Sequence, residues 1–143
     1  DEAALRSARI GAHRMGDDGA AAPPVAALLQ RGLGDRVVGY TITGDYAAAD
    51  PPAALIDAVD TGAIDVALAW GPLAGWYAQK SKHPLAVNAV TPAREGAARF
   101  AFDMAVGVKK GDTALLDDVE RAIAAHRGDI DRILDSYGVP RVK

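Results

Sequence analysis

Short apolar runs alternate along the chain with stretches whose apolar positions recur every three to four residues, and glycine or proline stands at most changes of pattern. Arg9-Ile-Gly-Ala-His13 reads as a first strand, followed by the polar glycine loop Met15-Gly-Asp-Asp-Gly19. Pro23-Pro24 opens a helix over residues 25–31 that closes at Gly32, since proline at the first helical position gives up no hydrogen bond. The branched and aromatic content of residues 37–42 predicts a second strand. After Gly44-Asp-Tyr46, Asp50-Pro51-Pro52 supplies an N-cap with proline behind it, and the helix it opens carries Leu55, Ile56 and Val59 on one face as far as Thr61-Gly62.

Val66 to Ala69 is apolar without alternation, as a strand covered on both faces should be. Gly71-Pro72 ends it and starts a helix, Leu73 to about Gln79, that bears Trp76 and Tyr77. Residues 85–90 and 100–106 predict a fourth and a fifth strand, with a surface loop over 91–99 between them. Asp112 or Thr113 caps a helix with Leu115, Leu116, Val119 and Ile123 at helical spacing. Gly128-Asp129 restarts a second with Ile130, Ile133, Leu134 and Tyr137, ended by Gly138 and Pro140. Strand and helix alternating at this spacing predict an α/β fold, an open, mainly parallel sheet flanked by helices with right-handed crossovers.

A chain of 143 residues is one domain's worth with a core of its own, here read with an appended helical tail. No apolar run has the length to span a bilayer. Asp1-Glu-Ala-Ala-Leu has no secretory signal, so either the chain is cytoplasmic or something was removed. Cysteine is absent, which removes disulfides, thiolate metal sites and cysteine nucleophiles. A net charge of −3 without a basic run argues against nucleic acid as a partner. Arg36, Lys80, Lys82, Lys109 and Lys110 read as solvated ends of elements.

In an open α/β sheet the ligand crevice lies outside the carboxyl ends of the strands. The residues that follow those ends or begin the next helix are therefore the candidates for a binding cleft: Met15, Asp17, Asp18, Tyr46, Trp70, Trp76 and Tyr77. The competing reading makes Trp70 and Trp76 ordinary core aromatics. His13, His83 and His126 share no metal-ligand spacing and take incidental roles. Asp17, Asp18, Asp45 and Asp50 could offer oxygen ligands to a hard cation, but capping and turn chemistry explain most of them, so no metal and no cofactor is expected. Gly11-x4-Gly16 lacks the Lys-Ser/Thr of a phosphate loop, no Gly-x-Ser-x-Gly elbow occurs, and Asp57 and Asp65 stand too isolated for paired acid–base work. No catalytic residue is assigned, and enzyme activity is the least supported class.

The order of these elements, with Gly62-x-Ile64-Asp65-Val-Ala and then Phe102-Asp-Met-Ala-Val-Gly107-Val-Lys-Lys-Gly111-Asp112 before a final helical pair, resembles the second half of a type 2 periplasmic solute-binding protein. More narrowly, Ile10-Gly-Ala-His13, Gly16-Asp-Asp18, Pro23-Pro24, Val38-Gly-Tyr40, Gly44-Asp-Tyr46, Pro51-Pro52, Trp70-Gly-Pro-Leu-Ala-Gly75 and Tyr137-Gly-Val-Pro140 resemble the MoxJ/XoxJ group. That resemblance implies residues 1–107 as a second lobe, and residues 108–143 as a hinge return and helical pair that would pack on a first lobe preceding Asp1. It also implies a periplasmic location beside methanol dehydrogenases that use pyrroloquinoline quinone.

Amino-acid-binding relatives end the third strand with a carboxylate for the ligand's ammonium group, and this chain has Trp70 there. They place hydroxyls in the first glycine loop, where this chain has Asp17 and Asp18, whose charges would repel an anion from a helix N-terminus. An aromatic surface with an acidic rim suits another protein or an apolar ligand. The resemblance therefore implies an accessory protein that binds and helps mature or activate a methanol dehydrogenase of the lanthanide or calcium type. The alternative is the solute receptor of an ABC-type transporter for a small ligand other than an amino acid. Without a first lobe, the faces bearing Leu115 to Leu134 would need other cover, most simply in a homodimer.

Overall fold

The computed structural model describes residues 2–13, 22–41 and 51–142. Their elements, in chain order, are α1 (Glu2–Ser7), β1 (Ile10–His13), α2 (Pro23–Gln30), β2 (Val37–Tyr40), α3 (Ala54–Asp60), β3 (Val66–Leu68) and α4 (Gly71–Ala78). A short hairpin, β4 (Arg94–Glu95) and β5 (Ala98–Arg99), and the helices α5 (Thr113–Ala125) and α6 (Arg127–Ser136) complete them. The sheet is parallel with order β2-β1-β3, so β1 is central and all three carboxyl ends meet one edge.

Because side chains alternate across a strand, the sheet has two apolar faces. Ile10 packs with Leu28 and Leu33 on one face, joined by Leu5, Val37 and Leu68. On the other face Leu55, Ala58 and Ile64 pack with Tyr40, Val59, Ala67 and Ala69. Thus α2 and α3 cover opposite faces. Gly11 points to the second cluster, and a β-carbon there would lie 2.7 Å from Leu55 Cδ1 and 3.1 Å from Tyr40 Cε2. The central strand therefore gives up one side chain so that Ile64, Leu55 and Tyr40 can fill that face.

Left-handed glycines end the first two large helices, Gly32 at φ 70° and Gly62 at φ 73°. After α2, the Gly32 and Leu33 amides donate to the Leu29 and Leu28 carbonyls, the paired bonds of a Schellman motif. At the amino edge of the sheet, Arg9 donates to both Asp65 carboxylate oxygens (3.1 and 2.7 Å) and to the Gly62 carbonyl (2.9 Å), tying β1 to β3. Arg31 pairs with Glu95 at 2.6 Å and fastens α2 to the hairpin.

Several expectations need correction. Residues 85–90 form no ladder among the described residues, although they keep strand-like alternation, with Leu85, Val87 and Ala89 half-buried and the residues between them exposed. Residues 100–106 form none either, and Phe102, Met104 and Val106 are exposed. In both segments the apolar pattern is right, but a strand exists only where a neighbour supplies its hydrogen bonds. The expected loop over 91–99 contains β4 and β5, paired antiparallel. β3 is covered on both faces, Leu68 packing on one and Ala67 and Ala69 on the other, but it stands at the edge of the described sheet and Val66 at its start is exposed. Lys80 is not merely a solvated end, because its ammonium lies 3.7 Å above the Trp76 ring. Asp112 is the N-cap of α5, its carboxylate accepting from the Leu115 amide at 3.1 Å. The predicted cap Asp50 lies outside the described residues, and α3 follows a single 3₁₀ turn at Pro51–Ala53.

Candidate functional site

Parallel pairing places His13, Tyr40 and the chain leading from Leu68 to Trp70 along the carboxyl edge of the sheet. Trp70 takes extended backbone angles and is the residue from which α4 starts; its carbonyl accepts the Ala74 amide at 2.9 Å. Its side chain is 60% exposed, which excludes a core role. Trp76, in the second turn of the same helix, is committed elsewhere. Its ring stacks on Tyr137 with centroids 4.9 Å apart and planes 26° from parallel. Such stacking contributes about 0.5–1.5 kcal/mol beyond burial. Tyr77 is half-buried, and its carbonyl accepts from Ser81 Oγ at 3.1 Å. Met15, Asp17, Asp18 and Tyr46 lie outside the described residues. Of the seven expected cleft residues, the described structure thus exposes Trp70 at the crevice edge and holds Trp76 in a packed contact.

His13 is the residue that sequence reasoning passed over. It ends the central strand and is half-buried, and among the described residues its buried Nε2 has no hydrogen-bond partner. Burial pushes its pKa below the usual 6.5, against an opposing hydrogen bond at the Pro52 backbone. The imidazole is therefore neutral at pH 7. The signal was its place as the last residue of the central apolar strand just before a glycine loop, where an α/β sheet faces its ligand. His83 and His126 are exposed and pair with Asp60 and Asp129, at 2.9 and 3.0 Å.

A cavity of about 320 Å³ lies between β3 and the segment 85–90. It is lined by successive residues on both sides, 65–69 and 85–88, whereas a sheet face would present alternate ones. The cavity therefore opens onto the edge of the sheet. Apart from Asp65, which Arg9 engages and holds down to about pKa 2, and Asn88, its lining side chains are apolar. Its polar side chains are thus Asn88 and the already engaged Asp65. Among the described residues no cluster of His, Cys, Asp or Glu could hold a metal ion, and no helix is long and apolar enough to cross a membrane.

No family model matches the sequence. Protein MoxJ of Methylorubrum extorquens is 36% identical across 62% of this chain and 31% of its own length. Protein MoxJ of Paracoccus denitrificans is 30% identical across 60% of this chain and 33% of its own. The chain thus spans about a third of the length of the curated relatives it matches. The crystal structure of the periplasmic binding protein XoxJ from Methylobacterium extorquens AM1 superposes with a TM-score of 0.76 at 26% identity, covering 98% of this chain and 59% of XoxJ. With a flanked parallel sheet shared with XoxJ and detectable identity to two MoxJ sequences, this is a MoxJ/XoxJ-type chain with a periplasmic-binding-protein fold.

Proposed function

We propose that the chain belongs to a periplasmic accessory protein, not an enzyme, that binds and helps mature or activate a methanol dehydrogenase using pyrroloquinoline quinone. The setting comes from the MoxJ/XoxJ resemblance. The observation that carries the reading is Trp70, a large aromatic 60% exposed at the carboxyl edge of the sheet. Partially wet aromatics at such an edge serve as anchors for another protein. A solute receptor would instead surround that position with hydrogen-bonding groups. In this proposal Trp70, with Met15, Asp17, Asp18 and Tyr46 from the neighbouring loops, forms the contact surface, while Trp76 and Tyr77 brace it from α4. Residues 1–107 act as the lobe carrying that surface, and residues 108–143 as the return segment and helical pair. The apolar faces from Leu115 to Leu134 offer a second contact, between two copies of the chain.

The test is co-purification of the natural full-length protein with the neighbouring dehydrogenase, scored by dehydrogenase activity. Activation that Trp70→Ala reduces tenfold or more supports the proposal. Unchanged activation by the variant overturns the role of Trp70. Micromolar binding of a small solute by calorimetry, without dehydrogenase capture, would establish the receptor instead.

A further inference from the structure

The tail after α6 is fastened to two helices at once, and the geometry points to a strap that holds the C-terminal helical pair to the sheet body. On the α6 side, Gly138 adopts φ 65°, and the Gly138 and Val139 amides donate to the Asp135 and Leu134 carbonyls, closing a Schellman motif. Arg141 then reaches back with both terminal nitrogens, to Asp131 and to Asp135, each at 2.5 Å. On the α4 side, Tyr137 stacks on Trp76, whose ring also carries the Lys80 ammonium. Below that stack the two backbones touch. A β-carbon on Gly75 would lie 2.6 Å from the Tyr137 carbonyl oxygen and closer still to that of Gly138, and one on Gly71 would lie 3.1 Å from Pro140 Cγ.

Gly71 and Gly75 are one helical turn apart, so α4 presents a side-chain-free track on which residues 138–140 lie. Neither α5 nor α6 has a buried residue, so residues 137–141 supply the packed link between the helical pair and the body. Since α4 begins directly after Trp70, the strap keeps the apolar faces of α5 and α6 in fixed relation to that exposed aromatic.

Absence of native cysteine makes the test direct. Spin labels at Asp57→Cys on α3 and Glu120→Cys on α5, both exposed positions, report the distance between body and arm by pulsed electron resonance. One narrow distance is expected, and Gly75→Val should broaden it at least twofold while the far-ultraviolet spectrum is kept. Tyr137→Ala combined with Arg141→Ala, which leaves α4 intact, should broaden it likewise and decides the matter if Gly75→Val does not fold. Gly128→Ala, at a glycine with open space around it, should leave it unchanged. A distribution already broad in the parent, or still narrow after the double substitution, overturns the strap.

Discussion

The sheet body and the C-terminal helical pair are built from equally clear apolar patterns, yet only one of them has a buried interior. Ile10 and Leu55 in the body are fully buried, while Leu115, Leu116, Ile123 and Ile133 in α5 and α6 are 46, 38, 40 and 57% exposed. Periodicity determines which residues share a face. It does not determine what covers that face, and here covering depends on strands and helices supplied by the rest of the body or by a partner. The same distinction separates Ile10–His13, a strand with neighbours on both sides, from residues 100–106, a strand pattern that pairs with no strand among the described residues.

The largest expected effect tests this contrast at the core. Leu55→Ala should cost about 2–5 kcal/mol, because it empties a site lined by Ile64, Ala58 and Tyr40. Leu116→Ala in α5 should stay within about 0.5 kcal/mol in a dilute sample. Urea denaturation compares the two. If they cost the same, α5 is buried in solution and the contrast fails.

Association comes next. If two copies cover each other's helical faces, light scattering at high concentration should give a dimer mass, and Leu116→Asp or Ile123→Asp should return it to the monomer. A monomer mass at every concentration would overturn the proposed contact. A smaller effect belongs to Asp112. Its replacement by alanine removes the bond to the Leu115 amide and should cost about 1 kcal/mol. Because α5 buries nothing, that loss should appear as faster hydrogen exchange in its first turn with no change in the unfolding midpoint of the body.

The three strands were legible in the sequence as short apolar or β-branched runs between glycine and proline breaks, and the helix stops at Gly32, Gly62 and Gly138 were legible because each needs a left-handed residue. The ladder status of residues 85–90 was not, since pairing is a property of two segments. At the site, Trp70 could be picked out by its position after a strand. Trp76 has the same local signature, and only the return of Tyr137 from sixty residues away takes it out of the crevice. His13 was missed because its burial is set by what surrounds the strand end.

The smallest expected effect is on acid stability, and its sign follows from two lowered pKa values. Asp65 falls from 3.8 to about 2 through its hydrogen bonds from Arg9. Its contribution is therefore complete above about pH 4 and is lost as pH falls towards 2. His13 lies below 6.5 through burial, so its contribution is complete above pH 6.5 and declines as acid forces a charge onto the half-buried ring. The Arg9–Asp65 pair is half-exposed, at 53 and 45%, and salt should weaken it. Arg9→Met separates the two windows. The difference in urea midpoint between parent and variant should be constant from pH 7 to 5 and shrink between 4 and 2, while His13→Gln should flatten only the window below 6.5. A midpoint difference for Arg9→Met that persists unchanged at pH 2 would show that Arg9 ties β1 to β3 through packing and the Gly62 carbonyl and not through the Asp65 charge.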